Sequence, residues 1–540
     1  MEKDHLPLRE FSRGEMRGCL RDEILNSLAS RFFEDPVSFV EEMGGEVLKS
    51  TRLRWAAIFT LPTGQRIFLK RDKTKGWTES LRYLVVPSKA RKEWSIAHRL
   101  HDKALNIPEP LGWMERRHRG LVKESYYLSE AVGSGTSLIE SIKLGGGIPV
   151  DQLARTVREV HEAGLFHKDF HAGNFLWDRD SFYLSDLHRA KIVPSLSLNQ
   201  KLFNLSQLFQ SLRLVWKAED RQRFIETYFE ADSDHLRRKE ELLQRIHFTM
   251  DRLQTRHWQS RTKRCLKETT EFTVKREGMI RYYHRRDFPL DCLKKAIGEH
   301  LSLIGKGPSF LVKDSSEVRV SILTDGNKRV CVKQFCYPTL WKMFKENFRR
   351  SRGLRAWVAG NGLRARGIPC LKPLALMERR NWMGLKESFF LMEASEGDHE
   401  LDRYLSKGFI DFKEKRSFIN TFAQWLSKLH KMNLYHEDMK TCNIVVSKHG
   451  EIWNFYLLDL EDVRLGKKVV GRKLFRSLLQ LNTSTPKVIS TADRIRFLKA
   501  YLNHNPMVED RKNFLKELVV ESKRRDLVYI SPGGTVIEKL

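Results

Sequence analysis

His167-Lys168-Asp169-Phe170-His171-Ala172-Gly173-Asn174 decides the fold, because the chain writes the same pattern twice. The second copy is His436-Glu437-Asp438-Met439-Lys440-Thr441-Cys442-Asn443. Each reads H-x-D-x-x-x-x-N, and each leads through a short apolar hairpin to Asp-Leu, at Asp186-Leu187 and Asp459-Leu460. Upstream of each, an alternating apolar stretch carries a lysine, Lys70 or Lys333. Phosphoryl transfer from a nucleotide needs these residue types in this order. A strand-borne lysine neutralises phosphates, and one aspartate orients and deprotonates the attacking hydroxyl. An asparagine and a second aspartate hold the Mg2+ that bridges the phosphates. The Asp-to-Asn spacing lets both side chains reach one metal–phosphate cluster from a single tight loop. One isolated Asp-x-x-x-x-Asn is usually a solvated loop. Two copies in register, each with its lysine and its second aspartate, point to chemistry.

Working outward, the repeat extends over most of the chain. Met114-Glu115-Arg116-Arg117 recurs as Met377-Glu378-Arg379-Arg380, and Lys123-Glu124-Ser125 as Lys386-Glu387-Ser388, both 263 residues later. Lys70 and Lys333, and Trp94 and Trp357, keep that offset. The offset becomes 269 at Asp169 and Asp438, and 273 at Asp186 and Asp459. Offsets that change in steps, and only between motifs, mark two homologous domains with loop insertions.

Alternation around Thr63-Gly64 (residues 52–71) and around Asp325-Gly326 (residues 316–335) predicts β-hairpins. Apolar periodicity predicts helices over 88–104, 351–366, 150–164 and 415–432. Tyr126–Leu128 and Phe389–Met392 read as strands. Phe175–Trp177 with Phe182–Leu184, and Ile444–Val446 with Phe455–Leu458, read as short hairpins. Each copy is thus strands plus one helix, followed by a mainly helical remainder. The expected fold is α+β, with two tandem two-lobed domains over residues 1–256 (core from about 45) and 257–540. A long charged helix over 235–256 closes the first copy. Strands near Phe272–Val274 and Ile280–Tyr283 open the second.

The 540 residues are 41% hydrophobic and 31% charged, a globular balance. No apolar run approaches the roughly 18 residues of a membrane span, and the charged N-terminus leads into no signal-like segment, so neither is expected. Seven scattered cysteines without a CxxC pair argue against a disulfide framework or a zinc site, and fit a reducing cytoplasm. The net charge of +29 is uneven: residues 1–250 hold 40 Lys and Arg against 35 Asp and Glu (+5), and residues 251–540 hold 57 against 33 (+24). A basic half asks for a polyanionic partner. The run Trp341-Lys342-Met343-Phe344-Lys345-Glu346-Asn347-Phe348-Arg349-Arg350-Ser351-Arg352 alternates bulky apolar residues with cations. It fits a segment lying on an anionic membrane surface. The alternative is a solvated face with Trp341 and Phe344 in the core. Lys467-Lys468 and Arg472-Lys473-Leu474-Phe475-Arg476 form a second basic cluster. No zinc knuckle, basic zipper or RNA-recognition signature accompanies the charge, so no nucleic-acid partner is expected.

The two copies resemble the protein-kinase-like superfamily and, within it, the lipopolysaccharide-core kinases that phosphorylate heptose or Kdo sugars. Asp186-Leu187-His188-Arg189-Ala190 is similar to the heptose-kinase signature. Tyr435-His436-Glu437-Asp438 with Leu457-Leu458-Asp459-Leu460 is closer to the Kdo-kinase style. The similarity covers roughly residues 45–215 and 258–485. It implies a two-lobed kinase-like fold that uses ATP and Mg2+. The implied acceptor is a sugar hydroxyl of the lipopolysaccharide core or a lipid A precursor, and the implied place is the cytoplasmic face of a Gram-negative inner membrane. It further implies that Lys70 and Lys333 contact the nucleotide phosphates and that Asp169 and Asp438 are the catalytic bases. Asn174, Asp186, Asn443 and Asp459 would bind Mg2+. Lys440, or His171 in the first copy, would assist the transferred group, while His167 and His436 are scaffold.

Two departures stand out. Neither copy has a G-x-G-x-x-G loop before its lysine strand. In the first copy Glu93 can pair with Lys70, whereas the register puts Ala356 at that place in the second and Glu346 does not align. Either Lys333 is positioned differently or the second site is weakened. The rival readings are a kinase acting on protein or a small molecule, and a pseudokinase or scaffold with at most one active domain.

Overall fold

Strand Arg66–Lys73 shows how the sheet is built. Ile67 and Leu69 point to one face and are fully buried there, which sends Phe68 and Lys70 to the other. Its neighbours alternate in step: Lys70 lies opposite Ala56 on strand Arg54–Thr60 and opposite Tyr127 on strand Leu121–Glu130. One face of the sheet is therefore core and the other, carrying Lys70, is the wall of a site. The computed structural model describes residues 7–103, 105–178, 181–325, 328–345, 348–394, 399–505, 508–531 and 534–539. Gly326 of the second hairpin turn, and Glu346 and Asn347, lie outside these described residues.

The chain divides into two compact units, Met1–Gln254 and Thr255–Leu540, within the 25-residue helix Lys239–Lys263. In the first, an antiparallel seven-stranded sheet runs in the order Leu8–Arg13, Met16–Arg21, Pro110–His118, Leu121–Glu130, Arg66–Lys73, Arg54–Thr60, Glu46–Ser50. In the second, the order is Phe272–Glu277, Ile280–Arg285, Pro373–Asn381, Gly384–Glu393, Lys328–Cys336, Val318–Asp325, Lys313–Asp314. The two topologies are identical. Lys333 lies opposite Phe390 as Lys70 lies opposite Tyr127. Each sheet is followed by a mainly helical lobe, so each unit has the two-lobed α+β architecture expected.

The sequence reading starts the first core near residue 45, but the core begins earlier. Leu20, Ile24, Phe32, Phe33 and Val40 pack against Trp55, Phe59, Ile67 and Leu128 on the back of the sheet. In the second unit the helix Leu290–Lys306 covers that face instead, through Leu293, Ala296 and Ile297.

One helix crosses the open side of each sheet. Helix Lys89–His101 starts where Ser88 Oγ accepts the Arg91 N–H, and it buries Ala90, Glu93, Ile96, Ala97 and Leu100. Glu93 is the only charge on that stripe. Helix Arg352–Ala365 is capped in the same way by Ser351, but its buried stripe is Gly353, Ala356, Trp357 and Gly360. A Cβ on Gly353 would meet Ser388 Oγ at 2.7 Å, and one on Gly360 would meet Pro373 Cγ at 2.5 Å. At Gly353 and Gly360 this helix therefore lies too close to the sheet for a side chain, while Trp357 packs fully buried between them.

Candidate active site

The helical lobe holds each H-x-D loop from below. In the first unit the helix Leu198–Leu212 offers Gln207, whose Oε1 accepts the Phe170 N–H at 3.1 Å while its Nε2 donates to the Lys168 carbonyl at 2.9 Å. Ser211 Oγ accepts the Ala172 N–H at 2.9 Å. In the second unit, helix Arg472–Ser484 repeats the clamp. Gln480 takes the Met439 N–H (3.2 Å) and donates to the Glu437 carbonyl (3.1 Å), and Ser484 takes the Thr441 N–H (2.9 Å). Sequence reasoning missed these four residues. A shared offset of 273, the same as between Asp186 and Asp459, was the available signal.

The first histidine of each motif pins the loop. Asp169 N–H donates to His167 Nδ1 at 3.1 Å, so the proton sits on Nε2, which donates to the Asp186 carbonyl at 3.1 Å. Burial holds the His167 pKa below its ordinary value and the ring neutral. Asp438 N–H and His436 Nδ1 repeat the contact at 3.2 Å, with Nε2 on the Leu458 carbonyl at 3.1 Å.

Asp186 and Asp459 follow the short hairpins in left-handed conformations, φ 59° and 44°. Such backbone costs about 1–3 kcal/mol and persists where surrounding structure fixes it. The turn aims each carboxylate at its lysine. Lys70 Nζ bonds Asp186 Oδ1 and lies 2.8 Å from Glu93 Oε2. Burial works against the Lys70 charge, but Glu93 and Asp186 outweigh it, and its pKa stands above the ordinary lysine value. Burial also opposes ionisation of Asp186. Lys70 and His188, whose Nδ1 lies 2.7 Å from Asp186 Oδ1, reverse that and hold the carboxyl far below its usual range.

The second unit reaches the same arrangement by another route. Lys333 Nζ bonds Asp459 Oδ1 at 2.6 Å and Glu461 Oε1 at 2.9 Å. Glu461 is 2% exposed, and Ala356 on the crossing helix is fully buried and contributes no charge. The lysine is thus not left unpaired: its second carboxylate comes from the loop, two residues after Asp459, where the first unit has His188. Burial opposes the Lys333 charge, and Glu461 and Asp459 raise its pKa above normal.

The base aspartates also differ in their cation. Arg189 Nη1 lies 2.9 Å from Asp169 Oδ2 in the first unit, and Lys440 Nζ lies 3.0 Å from Asp438 Oδ1 in the second. Asn174 Nδ2 donates to the Asp169 carbonyl, and Asn443 Nδ2 to the Asp438 carbonyl, both at 2.9 Å. That leaves each amide oxygen to serve as a ligand beside Asp186 or Asp459. Paired amide and carboxylate oxygens are the hard donors that suit Mg2+. Glu93, Asp186 and His188 also bring ligand atoms within 4.8 Å of one another, but the Lys70 ammonium already pairs with both carboxylates. That cluster reads as an ion pair.

In the first unit these residues edge a cavity of about 360 Å³. Ala56, Ile58, Val132 and Leu176 line one part of it, and Lys70, Asp169, His171, Asn174 and Asp186 another. The structure so gathers every residue singled out for the first copy: Lys70, Glu93, Asp169, His171, Asn174 and Asp186. In the second it links Lys333 to Asp459, and Asp438 to Lys440 and Asn443.

Fold and site together describe a two-lobed unit built twice in one chain, each copy bearing the lysine, aspartates and asparagine that a phosphotransferase site needs. Residues 45–228 and 329–501 match the model of the lipopolysaccharide kinase (Kdo/WaaP) family, which is more than half the chain. The protein belongs to that family of kinases. The lipopolysaccharide core heptose(I) kinase WaaP of Escherichia coli is 28% identical over 222 residues, 36% of this chain and 82% of the relative. Its Pseudomonas aeruginosa counterpart is 27% identical over 217 residues, 36% of this chain and 81% of the relative. A 3-deoxy-D-manno-octulosonic acid kinase of Stenotrophomonas maltophilia is 31% identical over 123 residues, 22% of this chain and 48% of the relative. Among solved structures, WaaP in complex with acyl carrier protein aligns at 23% identity and a TM-score of 0.30, covering 41% of this chain and 92% of that one.

Proposed function

We propose that the protein transfers the γ-phosphoryl group of ATP to a sugar hydroxyl, on heptose or Kdo, of the lipopolysaccharide inner core, and that both units carry this chemistry. The observation that carries the reading is the same charge constellation in each unit: a buried lysine on two carboxylates, facing a loop aspartate with its own cation. The similarity to heptose and Kdo kinases supports the acceptor class.

In this mechanism Asp169 or Asp438 accepts the hydroxyl proton as the sugar oxygen attacks the γ-phosphorus. The bond from phosphorus to the β–γ bridging oxygen breaks, and ADP leaves with its phosphates beside Lys70 or Lys333. Asn174 with Asp186, and Asn443 with Asp459, would hold Mg2+, which supplies charge neutralisation to the phosphates. Arg189 and Lys440 each pair with the base carboxylate and hold it turned toward the acceptor. The apolar wall of Ala56, Ile58, Val132 and Leu176 suits an adenine ring.

The setting belongs to the same proposal: the cytoplasmic face of the inner membrane of a Gram-negative bacterium, with the protein bound peripherally. Among the described residues no helix is long and apolar enough to cross a membrane. Trp341 and Phe344 are exposed rather than core residues, which supports a surface-lying role for the segment that contains them.

The test is labelled ATP with isolated glycolipid core, comparing the wild type with Asp169→Asn, Asp438→Asn and the double variant. Transfer to glycolipid that survives each single change and vanishes in the double is the expected result. Label on protein or on a soluble compound instead would overturn the acceptor.

A further inference from the structure

Charge bookkeeping puts the polyanion-binding half after residue 250, yet a dense cationic groove lies in the other half. Residues 49–92 hold twelve Lys and Arg, with Asp72 and Glu79 as the only acids. They line much of a groove of about 680 Å³ that ends at His188 and Arg189, beside the catalytic loop. Lys49 and Arg54 line both this groove and the nucleotide-sized cavity, so the two adjoin. Eight cations face the groove against the carboxylates of Asp72 and Glu79. Arg54 and Lys89 share Asp72, at 3.2 and 3.4 Å. Lys49, Lys75 and Lys92 have no carboxylate within ion-pairing distance among the described residues. Lys92 is half-buried, and burial together with Lys168 depresses its pKa. Unpaired, partly desolvated cations packed together favour a bound anion.

The rim of the groove is apolar, and inverted. Helix Trp77–Arg82 and the turn after it turn their polar anchors inward. Ser80 is buried with its hydroxyl on Thr74, and Tyr83 is buried with its hydroxyl on Glu79. The apolar side chains face out: Trp77 is 71% exposed and Val85 90%, with Leu81 and Leu84 beside them. The homologous segment of the second unit does the same with Trp341, Phe344 and Phe348. Aromatic and aliphatic groups standing next to a cationic trough match a molecule that is anionic at one end and hydrocarbon at the other.

We propose that groove and rim form the acceptor-docking site of the first unit, and that its occupant is a lipid-linked sugar already bearing phosphate. The phosphate lies among Lys75, Arg82 and Lys92, the acyl chains rest on Trp77, Leu84 and Val85, and the sugar hydroxyl reaches Asp169 past Arg189. This rests on the acceptor class proposed above, and the tests separate the two.

The experiment uses full-length protein with Asp438→Asn, so that only the first unit transfers. Lys75→Glu/Lys92→Glu should raise the KM for glycolipid at least tenfold, while the Mg-ATP shift in melting temperature stays. Trp77→Ser/Val85→Ser should raise the KM for intact glycolipid but not for its deacylated, still phosphorylated form. Dephosphorylated glycolipid should bind the parent protein as weakly as intact glycolipid binds the charge-reversed one. Co-sedimentation with neutral phosphatidylcholine vesicles, with and without embedded glycolipid, reads docking independently of transfer. Vesicles doped with phosphatidylglycerol separate the acceptor from any anionic headgroup. Unchanged KM and co-sedimentation in the charge-reversed protein would overturn the site, as would equal binding to phosphatidylglycerol and glycolipid. Glycolipid that docks through these residues but is never phosphorylated would leave the groove standing and sink the transfer reading.

Discussion

Lys70 and Lys333 occupy the same place in the same sheet, yet they are held by carboxylates from different elements. In the first unit the helix supplies Glu93 and the loop after the second aspartate supplies His188 and Arg189. In the second the helix supplies Ala356 and the loop supplies Glu461 and Asp462. The base's cation moves the opposite way, from that loop (Arg189) to the catalytic loop (Lys440). Counted over the lysine, the base and their direct partners, each site has two cations and three carboxylates, and in the second Arg352 also reaches Glu461, at 3.5 Å. What is preserved is the charge around the lysine and the base, not the positions that provide it. The crossing helix offers a physical cause: Gly353 and Gly360 set it close against the sheet, and Ala356 between them is fully buried.

The comparison breaks most decisively at the bases. Asp169→Asn and Asp438→Asn should each cut the kcat of their own unit about 10²–10⁴-fold, measured with the other unit silenced, since a positioned base contributes that much. A unit that keeps its rate would not use this aspartate.

The next effect tests the exchange itself. Glu461→Gln and Glu93→Gln should each leave a buried lysine with one carboxylate, destabilising the unit by about 3 kcal/mol and weakening its Mg-ATP thermal shift. Moving the second unit's solution into the first, Glu93→Ala with His188→Glu should recover most of the activity that Glu93→Ala alone loses. The reverse transplant should fail. Ala356→Glu should lower the melting temperature of the second unit, because overpacking at a closed contact costs about 1–3 kcal/mol or more. If Ala356→Glu is tolerated, the steric account of the exchange is wrong.

Smaller still is the loop clamp. Gln207→Ala and Gln480→Ala each strip a loop N–H and a loop carbonyl of their partner, a loss of about 1–3 kcal/mol. Faster hydrogen exchange at Phe170 and Met439 respectively is the measurement.

The smallest effect is common to both units. His161 Nδ1 lies 2.7 Å from the Tyr228 hydroxyl, and His430 Nδ1 lies 2.6 Å from that of Tyr501. Burial pushes both pKa values down to about 3. The unfolded chain takes up a proton near pH 6.5 that the folded ring refuses, so stability is full above that value and declines as the pH falls toward 3. Between pH 7 and 5.5 each unit should lose about 1 kcal/mol from this residue. His161→Gln and His430→Gln should flatten the dependence of the melting temperature on pH.

The sequence alone determined the duplication, the order of elements in each copy, and the residues Lys70, Asp169, Asn174 and Asp186 with their partners Lys333, Asp438, Asn443 and Asp459. These were legible because strand alternation, helical periodicity and loop spacing are local, and because a repeat shows which local patterns matter. The N-terminal hairpin Leu8–Arg13 with Met16–Arg21 escaped notice, since its charged residues blur the alternation and only its place at the sheet edge orders it. Glu461 was equally hidden. Nothing in Asp459-Leu460-Glu461-Asp462 says that this glutamate, 128 residues beyond Lys333, bonds it. Only the tertiary structure could decide that, because the energy of a buried charge depends on which opposite charge the fold brings within reach. The same reason hides the exposed rim at Trp77 and the groove beside it. Chain-wide charge counts average over a surface, whereas binding responds to charges that folding gathers in one place.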